Sequence, residues 1–402
     1  MEARLSPIHT FVWEHRADDP ADLALQARKY PGLQMPYIAS QVAAYQKIKH
    51  KIPEWYRPGL AFPFPLSLEQ ASSEASARFK ASLFSGAHSL DLTGGLGVDS
   101  YFLSQRFKIH SYVEQNHELL VVTAQNFGRL EASNVHFARE GAEAFLENTE
   151  DTFNLIYLDP ARRDAKGGRV AGLEDCAPNV LELLPRMLEL AQDILLKASP
   201  MLDIQQALRQ LGEGVQRVYV VAYEEECKEV LFHIGRQKPD HLMVHAVTLQ
   251  ADGQVVHCFE GPIETSANAP KVEFGLGQYL YEPNVAIRKA GFFNTFAQRY
   301  GLKKIQANTH LYCADELLPD IPGRSFVIEA ICSYDKKAIA PYCPEGKANI
   351  AAKNFPDDVA AIRKKSGLKD GGNRYLFAVT DAAGKKVILV CKKAGPTSLA
   401  AD

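Results

Sequence analysis

Apolar residues recur every three or four positions over much of the first 84 residues, the spacing that places them on one face of a helix. The clearest such series is Ile38, Val42, Tyr45 and Ile48. Asp19 followed by Pro20 has the form of a helix start, because Asp caps free amide groups and Pro fits the first turn. A further helix is predicted over residues 67–84, and residues 1–75 are predicted to form a helical region.

The pattern changes at Ser89, where short apolar runs begin to alternate with helical segments. The runs are HSLDL, KIHSYVE, NVHFA, FNLIYLD, DILLKAS, VQRVYVVA and HAVTL. Strands that alternate with helices form βαβ units, so an α/β domain with a mainly parallel sheet of seven strands is predicted over residues 76–262. The last two strands, 218–223 and 243–249, are expected to be antiparallel and to finish the sheet.

A stretch rich in small and turn-forming residues, GPIETSANAPK (261–271), predicts a domain boundary. Beyond it the pattern favours small α+β domains. Their predicted elements are a helix over 285–300, strands around 304–312 and 325–332, a helix over 356–366, and a final strand pair, RYLFAVT and KKVILVC, joined by 381–384.

Composition narrows the class of protein. The 402 residues are 46% hydrophobic and 23% charged, which is typical of a globular protein and excludes a largely disordered chain. No run approaches the roughly 18–20 apolar residues of a membrane span, and the first residues lack the apolar core of a signal peptide. Seven scattered cysteines without a C-x-x-C pair argue against a disulfide framework or a zinc site. A cytoplasmic location is therefore predicted.

Charge is distributed unevenly along the chain. The net charge is −3, but residues 320–402 carry 14 Lys and Arg against 9 Asp and Glu, which is +5 and leaves −8 for the rest. A basic C-terminal part on an acidic body favours an interaction module.

The strongest chemical signal is the sequence DLTGGLG (91–97), where a predicted strand ends in Asp91 and a glycine-rich turn opens a helix. Glycines allow the backbone to approach a ligand closely and to take positive φ. A tight turn without a ligand is the alternative interpretation.

Polar residues also follow the next three strands. Glu114 closes the second strand, where Rossmann-type sheets place an acid that accepts hydrogen bonds from ribose hydroxyls. Glu140-Gly141-Ala142 follow the third strand in a turn suited to an adenine edge, and Asp159-Pro160 follow the fourth. Because the carboxyl ends of parallel strands meet at one sheet edge, a single ligand site is expected there. Taken singly, Glu114 could be a surface acid and Asp159-Pro160 a simple turn.

Residues 88–258 resemble a class I S-adenosylmethionine-dependent methyltransferase. The resemblance implies a Rossmann-like methyltransferase fold with S-adenosylmethionine as methyl donor. It implies that Asp91 and the Gly94, Gly95 and Gly97 backbone hold the methionine part, Glu114 the ribose, and residues 140–142 the adenine. Thr93, also in this donor-binding set, stands where many members have the first glycine. A nicotinamide dehydrogenase would explain the glycines and Glu114, but not Asp91 or the D-P turn.

The run Asp159-Pro160-Ala161-Arg162 is similar to the D-P-P-Y/F motif of methyltransferases that modify exocyclic amines of bases. Asp159, Pro160 and Arg162 are therefore the predicted catalytic residues. Ala161 and Arg162 depart from that motif, although an Arg guanidinium can stack on a base or bind phosphate.

Basic residues suited to RNA phosphates lie near the predicted site and in the C-terminal part. The predicted RNA-contacting residues are Arg163, Lys166, Arg169, Lys197, Lys364 and Lys365. An ordinary solvated surface is the alternative for each of them.

The whole chain also resembles a bacterial group of uncharacterised methyltransferases that have a helical N-terminal region and two small C-terminal domains. In those terms the predicted domains are a helical region (1–75), a methyltransferase domain (76–262), a ferredoxin-like unit (271–325) and a THUMP-like domain (326–397). THUMP domains bind RNA, so the resemblance implies methylation of an rRNA or tRNA base, with RNA as partner. A small-molecule methyltransferase with a structural tail and an inactive RNA-binding protein remain alternatives.

Overall fold

The computed structural model describes residues 5–62, 65–162 and 172–394. The chain separates into two compact units, residues 1–258 and residues 259–402. No helix in these described ranges is long and apolar enough to cross a membrane.

Helices form the N-terminal part of the first unit and connect most of its strands. They are α1 (Pro7–Glu14), α2 (Pro20–Ala24), α3 (Met35–Lys51), α4 (Pro65–Gln70), α5 (Glu74–Ser82), α6 (Val98–Ser104), α7 (His117–Arg129), α8 (Ala142–Asn148), α9 (Val180–Leu190) and α10 (Ile204–Leu211). Asp19 caps α2 by accepting hydrogen bonds from two amides, which confirms the predicted helix start. The single helix predicted over residues 67–84 is wrong, because Ser73 caps a new helix by accepting a hydrogen bond from the Ser76 amide.

The described strands up to residue 262 build one large sheet and one small ribbon, and the last of them runs past the boundary at Cys258. They are β1 (Gly86–Asp91), β2 (Phe107–Val113), β3 (Val135–Ala138), β4 (Phe153–Leu158), β5 (Ala161–Arg162), β6 (Cys176–Ala177), β7 (Ala191–Ala198), β8 (Val215–Tyr223), β9 (Glu226–Gly235), β10 (Met243–Leu249) and β11 (Val255–Pro262). The large sheet has the order β11-β10-β8-β9-β7-β4-β1-β2-β3, and β5 pairs with β6. β1 is parallel to both β2 and β4, so the strand order reverses at β1 and opens a crevice at the carboxyl ends of β1 and β4.

The sheet has nine strands in the described part of the chain, two more than predicted. The strand β9 was missed and lies antiparallel between β7 and β8. β8 and β10 are parallel, so the antiparallel pairing expected for 218–223 and 243–249 is wrong. Two features explain why β9 was missed. The turn before β9 uses Glu224 and Glu225 at φ 53° and 60° instead of Gly or Asn, and β9 is buried on both faces, so it lacks alternation.

The second unit contains one seven-stranded sheet and four α-helices within the described residues. The strands are β12 (Tyr279–Pro283), β13 (Lys303–Gln306), β14 (Thr309–Ala314), β15 (Gly323–Ser333), β16 (Asn349–Lys353), β17 (Tyr375–Thr380) and β18 (Lys386–Lys393). The helices are α11 (Val285–Ala290), α12 (Phe293–Tyr300), α13 (Lys336–Ile339) and α14 (Val359–Ser366). The sheet order is β13-β14-β12-β15-β18-β17-β16.

The elements predicted for the second unit from local sequence patterns were partly correct. The predicted final strand pair is confirmed as the antiparallel hairpin β17–β18. The helix predicted over residues 285–300 is two helices, because Gly291 takes the left-handed conformation (φ 79°) and ends the first. β12 pairs with β15, so the residues before and after Gly323 share one sheet.

Candidate functional site

A cleft of about 500 Å³ lies at the carboxyl ends of β1, β2, β3 and β4. Ten residues predicted for the site line it together: Asp91, Thr93, Gly94, Gly95, Gly97, Glu114, Glu140, Gly141, Ala142 and Asp159. Other lining residues were not singled out by the sequence, among them Ser72, Gln115, Leu119 and Pro178. The strand topology therefore brings residues 68 positions apart into one cavity.

The glycine-rich turn is held by close packing as well as by backbone conformation. A Cβ atom on Gly94 would lie 2.2 Å from the ring of Tyr112, and one on Gly97 would lie 2.7 Å from Thr123. Gly97 also has φ 84°, in the left-handed region. The Tyr112 hydroxyl donates to the Gly95 carbonyl at 2.5 Å. Side chains at these positions would collide with buried residues, so only glycines allow the turn to take this position at the cleft.

Asp91 is buried at the end of β1, with 1% of its surface exposed. Its two carboxylate oxygens accept hydrogen bonds from the Thr93 amide at 2.9 Å and the Ser100 hydroxyl at 2.5 Å. Burial raises the pKa of Asp91 to about 7, although both hydrogen bonds favour the ionised form. A carboxyl group with such a pKa would respond strongly to a cation placed beside it.

Glu114 follows β2 and faces the glycine-rich turn. One carboxylate oxygen accepts from the Gly95 amide at 3.0 Å, and the other accepts from the Asn116 amide at 2.7 Å. A carboxylate has about four acceptor positions, so these two bonds fix the group and leave capacity for two hydroxyl donors. That capacity matches the two adjacent hydroxyls of a ribose.

Thr93 joins the glycine-rich turn to the turn after β4. Its hydroxyl oxygen accepts a hydrogen bond from the Asp159 amide at 2.6 Å. A glycine could not make this contact, so the departure of Thr93 from the usual glycine has a physical reason. The contact fixes the position of Asp159 relative to the glycine-rich turn.

Asp159 forms an ion pair with Lys197 at the end of β7. The Lys197 Nζ lies 2.5 Å from one carboxylate oxygen of Asp159. Burial alone would lower the pKa of Lys197, but Asp159, Asp99 and Glu229 raise it, so the ammonium stays charged. Among the described residues no hydrogen bond reaches the other carboxylate oxygen, Oδ1, and 37% of the Asp159 side chain is exposed.

A buried charge cluster that reaches the cleft wall was missed by sequence reasoning. Lys80 is fully buried, and its Nζ lies 2.8 Å from Glu229 and 3.1 Å from Asp99. Asp99 also accepts hydrogen bonds from Tyr157 and Ser72 at 2.7 and 2.8 Å. Lys80 and Glu229 are 149 positions apart, and no local pattern relates them. The cluster ties α5, α6 and β9 together at the cleft, because Asp99 is one of the residues that line it.

A second cleft, of about 660 Å³, adjoins the first. Residues 70–72 line both clefts, and Lys197 lines the second. The Asp159–Lys197 pair therefore lies where the two clefts approach each other.

The remaining predicted site residues are placed as follows. Pro160 lies in the turn between β4 and β5, and Arg162 belongs to the backbone of β5. Arg163, Lys166 and Arg169 lie outside the described residues. Lys364 and Lys365 are exposed on α14 in the second unit.

The cleft fits S-adenosylmethionine by the chemistry of its lining. Glu114 offers acceptors for ribose hydroxyls, the glycine-rich turn offers backbone groups for the methionine part, and Leu119 and Ala142 offer apolar surface for a purine.

Comparisons with known proteins agree with this chemistry. A crystal structure from Porphyromonas gingivalis W83, assigned as a methyltransferase, is 31% identical; the alignment covers 96% of this chain and 98% of that chain, with a TM-score of 0.85. Uncharacterized S-adenosylmethionine-dependent methyltransferases from two strains of Mycobacterium tuberculosis are 23% identical over 233 residues, 57% of this chain. The matched part spans 60% of the length of those relatives.

Family models match the C-terminal unit. A ferredoxin-like domain matches residues 279–322, and a THUMP domain-like family matches residues 323–393. The near-complete alignment with the P. gingivalis protein and the lining of the cleft lead to one conclusion: the chain belongs to the class I S-adenosylmethionine-dependent methyltransferase family, with ferredoxin-like and THUMP-like segments at its C-terminal end.

Proposed function

We propose that this protein transfers a methyl group from S-adenosylmethionine to a base of RNA. The observation that carries the proposal is the single cleft that holds both the predicted donor-binding residues and Asp159. The hydrogen bond from the Asp159 amide to the Thr93 hydroxyl fixes Asp159 relative to the glycine-rich turn. Positioning of this kind is the main contribution an enzyme makes to a methyl transfer.

On the donor side, Glu114 binds the ribose hydroxyls, and the backbone of residues 94–97 with Asp91 binds the methionine part. Glu140, Gly141 and Ala142 surround the adenine. The bound donor supplies an electrophilic methyl group on a sulfonium. Asp91 stabilises the positive charge of the donor, since a cation nearby favours its ionised form.

On the acceptor side, Asp159 orients the base. Lys197 holds one carboxylate oxygen, and the other accepts a hydrogen bond from the acceptor group. That bond aims the acceptor's reactive atom at the methyl group and gives its proton a nearby acceptor. Pro160 fixes the turn, and Arg162 stacks on the base or binds an adjacent phosphate.

Two observations support RNA as the substrate class. The THUMP-like match covers residues 323–393, and residues 320–402 carry a net charge of +5. Clustered Lys and Arg bind phosphate backbones by releasing counterions. Lys197 acts beside the cleft, and Lys364 and Lys365 act in the second unit. Arg163, Lys166 and Arg169, which lie outside the described residues, are proposed as further phosphate contacts from the sequence alone.

A transfer assay with purified protein and labelled donor tests the proposal. RNA from cells that lack the gene should accept label, whereas RNA from unmodified cells, whose target is already methylated, should accept little. Label that enters only small molecules, or enters both RNA samples equally, would overturn the proposal.

A further inference from the structure

The second unit contains a cation cluster that neither the catalytic cleft nor the predicted RNA-contacting residues include. Its centre is Glu282 in β12, whose carboxylate is buried with only 4% of the side chain exposed. Three cations surround it: Arg288 on α11, Arg324 on β15 and Lys353 at the end of β16. These four residues are called the Glu282 cluster.

The contacts within the Glu282 cluster are direct. Arg324 donates to one carboxylate oxygen through Nε at 3.1 Å and also through Nη2. The Lys353 Nζ lies 3.0 Å from the other oxygen, and the Arg288 Nη1 lies 3.6 Å from it. Burial alone would raise the pKa of Glu282, but Lys353 and Arg324 hold it below its ordinary value. The carboxylate is therefore ionised and fixes three side chains around one point.

The charges of the Glu282 cluster do not balance. One carboxylate faces three cations, which leaves an excess of two positive charges. The three side chains are 28–42% exposed, so a ligand can reach them from solvent. Like charges held this close repel each other, and the repulsion is relieved when an anion binds.

One neighbouring residue, Lys304, adds to the positive character. Lys304 is buried, with its Nζ 3.2 Å from the Asn294 side-chain oxygen and 5.6 Å from the ring centre of Phe293. His310 stacks on that ring at 3.6 Å. Burial, together with the charges of Lys304, Lys353 and Arg288, lowers the pKa of His310 to about 4, so this ring is uncharged at neutral pH. Burial lowers the pKa of Lys304, and the negative charge of Glu264 partly opposes this shift.

We infer that Arg288, Arg324 and Lys353 form a phosphate-binding site in the second unit, preorganised by Glu282. An Arg guanidinium can donate two parallel hydrogen bonds to the oxygens of one phosphate, and a Lys ammonium adds a point charge. The three side chains together therefore suit one phosphate group. This inference rests on the proposed function, so the phosphate is taken to belong to RNA, either within its backbone or at its 5′ end. Free inorganic phosphate would share the same chemistry.

The first test measures the thermal midpoint of the full-length protein in inorganic phosphate and in chloride at equal ionic strength. A ligand that binds only the folded state raises the midpoint. Phosphate should raise the midpoint more than chloride does, and Arg288→Gln and Lys353→Gln should reduce that difference. Circular dichroism checks that each variant is folded.

The matched control is Lys303→Gln. Lys303 is also in the second unit, is 37% exposed and pairs one to one with Asp315 at 3.1 Å, so its charge is balanced. This variant should keep the phosphate response of the unmodified protein. An equal midpoint in phosphate and chloride for the unmodified protein would overturn the inference, as would equal loss in Lys303→Gln.

The second test identifies the source of the phosphate. Fluorescence anisotropy compares single-stranded RNA oligonucleotides with a 5′ phosphate and with a 5′ hydroxyl, over a range of salt. If the site holds a backbone phosphate, Arg288→Gln should weaken both oligonucleotides and reduce the salt slope by about 0.7, the value for one single-strand phosphate contact. Weakening confined to the 5′-phosphorylated oligonucleotide would assign the site to the RNA end.

The two proposals fail separately in these experiments. If no RNA is methylated but Arg288→Gln abolishes the phosphate response, the phosphate site stands and the proposed substrate falls. If RNA is methylated but neither phosphate nor RNA binding responds to Arg288→Gln and Lys353→Gln, the phosphate site falls alone.

Discussion

At the residue scale, the cleft depends on a few polar residues whose hydrogen bonds to neighbouring protein groups are already made. Glu114 is held by two amides, and Asp159 is held by Lys197 and through its own amide by Thr93. Groups fixed in this way lose little conformational freedom when a ligand binds. A change at Glu114 should therefore affect donor binding, and a change at Asp159 should affect methyl transfer.

Replacing Glu114 by Ala should weaken binding of S-adenosylmethionine by about 1–3 kcal/mol, because ribose hydroxyls would lose their acceptor and the Gly95 and Asn116 amides would lose a partner. Calorimetry with the donor and with its demethylated product measures the change. Glu118→Ala is the matched control, since Glu118 is exposed on α7 and does not line the cleft. Equal affinity of the Glu114→Ala and unmodified proteins would contradict the predicted ribose contact.

Asp91 predicts a particular pH dependence of stability. Its pKa is raised to about 7 in the folded protein, so between about pH 4 and 7 the folded state retains a proton that the unfolded state has lost. Its contribution is therefore fully present below about pH 4 and is lost as pH rises through 7, by up to roughly 4 kcal/mol.

Urea unfolding of the unmodified protein and of Asp91→Asn across this range measures that contribution. Asn can accept from the Thr93 amide and donate to the Ser100 hydroxyl, so it keeps both contacts. The unmodified protein should lose stability relative to the variant as pH rises. A constant difference from pH 4 to 8 would show that Asp91 titrates normally.

At the scale of helices and strands, the site is built on the sheet but braced by α5 and α6. Lys80 of α5 contacts Asp99 of α6 and Glu229 of β9, so three elements from distant parts of the chain meet at one buried ammonium. Removal of one partner from a buried charge cluster leaves uncompensated charge in a low-dielectric interior.

Lys80→Met should destabilise the protein by about 3–5 kcal/mol in urea unfolding, because two buried carboxylates lose their cation. The double variant Lys80→Met/Glu229→Gln should lose less, since one of those carboxylates is gone. Lys47→Met is the control, because the Lys47–Glu69 pair is more than half exposed and should contribute little to stability. A loss of unfolding free energy for Lys80→Met as small as that for Lys47→Met would show that the cluster does not stabilise the protein.

The sequence predicted those parts of the fold and site that depend on local signals. The strand ending in Asp91, the turn of residues 94–97 and the acid at Glu114 carry local patterns, and all line the cleft. Lys80 with Glu229 and Glu282 with Lys353 carry none, because each pair joins residues far apart in the chain. The strand β9 was missed for a different reason: its turn is made by two glutamates, and its residues are buried on both faces.

At the scale of the whole molecule, the two units divide the work in our account: the first holds the donor and the target base, and the second holds RNA. The sheet topology shows where the chain can be shortened to remove the second function. A cut near Gly323, which the charge distribution alone would suggest, would separate β15 from its partner β12. A cut after Pro262 leaves the nine-stranded sheet intact, because β11 ends there.

A shortened chain of residues 1–262 should bind S-adenosylmethionine as the full chain does, since every residue that lines the cleft is retained. It should bind RNA more weakly, with a shallower dependence of log affinity on log salt, because phosphate contacts of the second unit are lost. Calorimetry and anisotropy measure the two quantities. RNA affinity and salt slope equal to those of the full chain would place the RNA contacts in the first unit.

The most direct test of the central claim is mass mapping of RNA modifications in cells that carry the gene, lack it, or carry Asp159→Ala in its place. The account predicts that one methylated nucleotide disappears when the gene is deleted, returns with the unmodified gene and does not return with Asp159→Ala. The Asp159→Ala protein should still bind S-adenosylmethionine in calorimetry, because Asp159 acts on the acceptor. An identical set of methylated nucleotides with and without the gene would contradict RNA methylation, and full restoration by Asp159→Ala would contradict the role of Asp159.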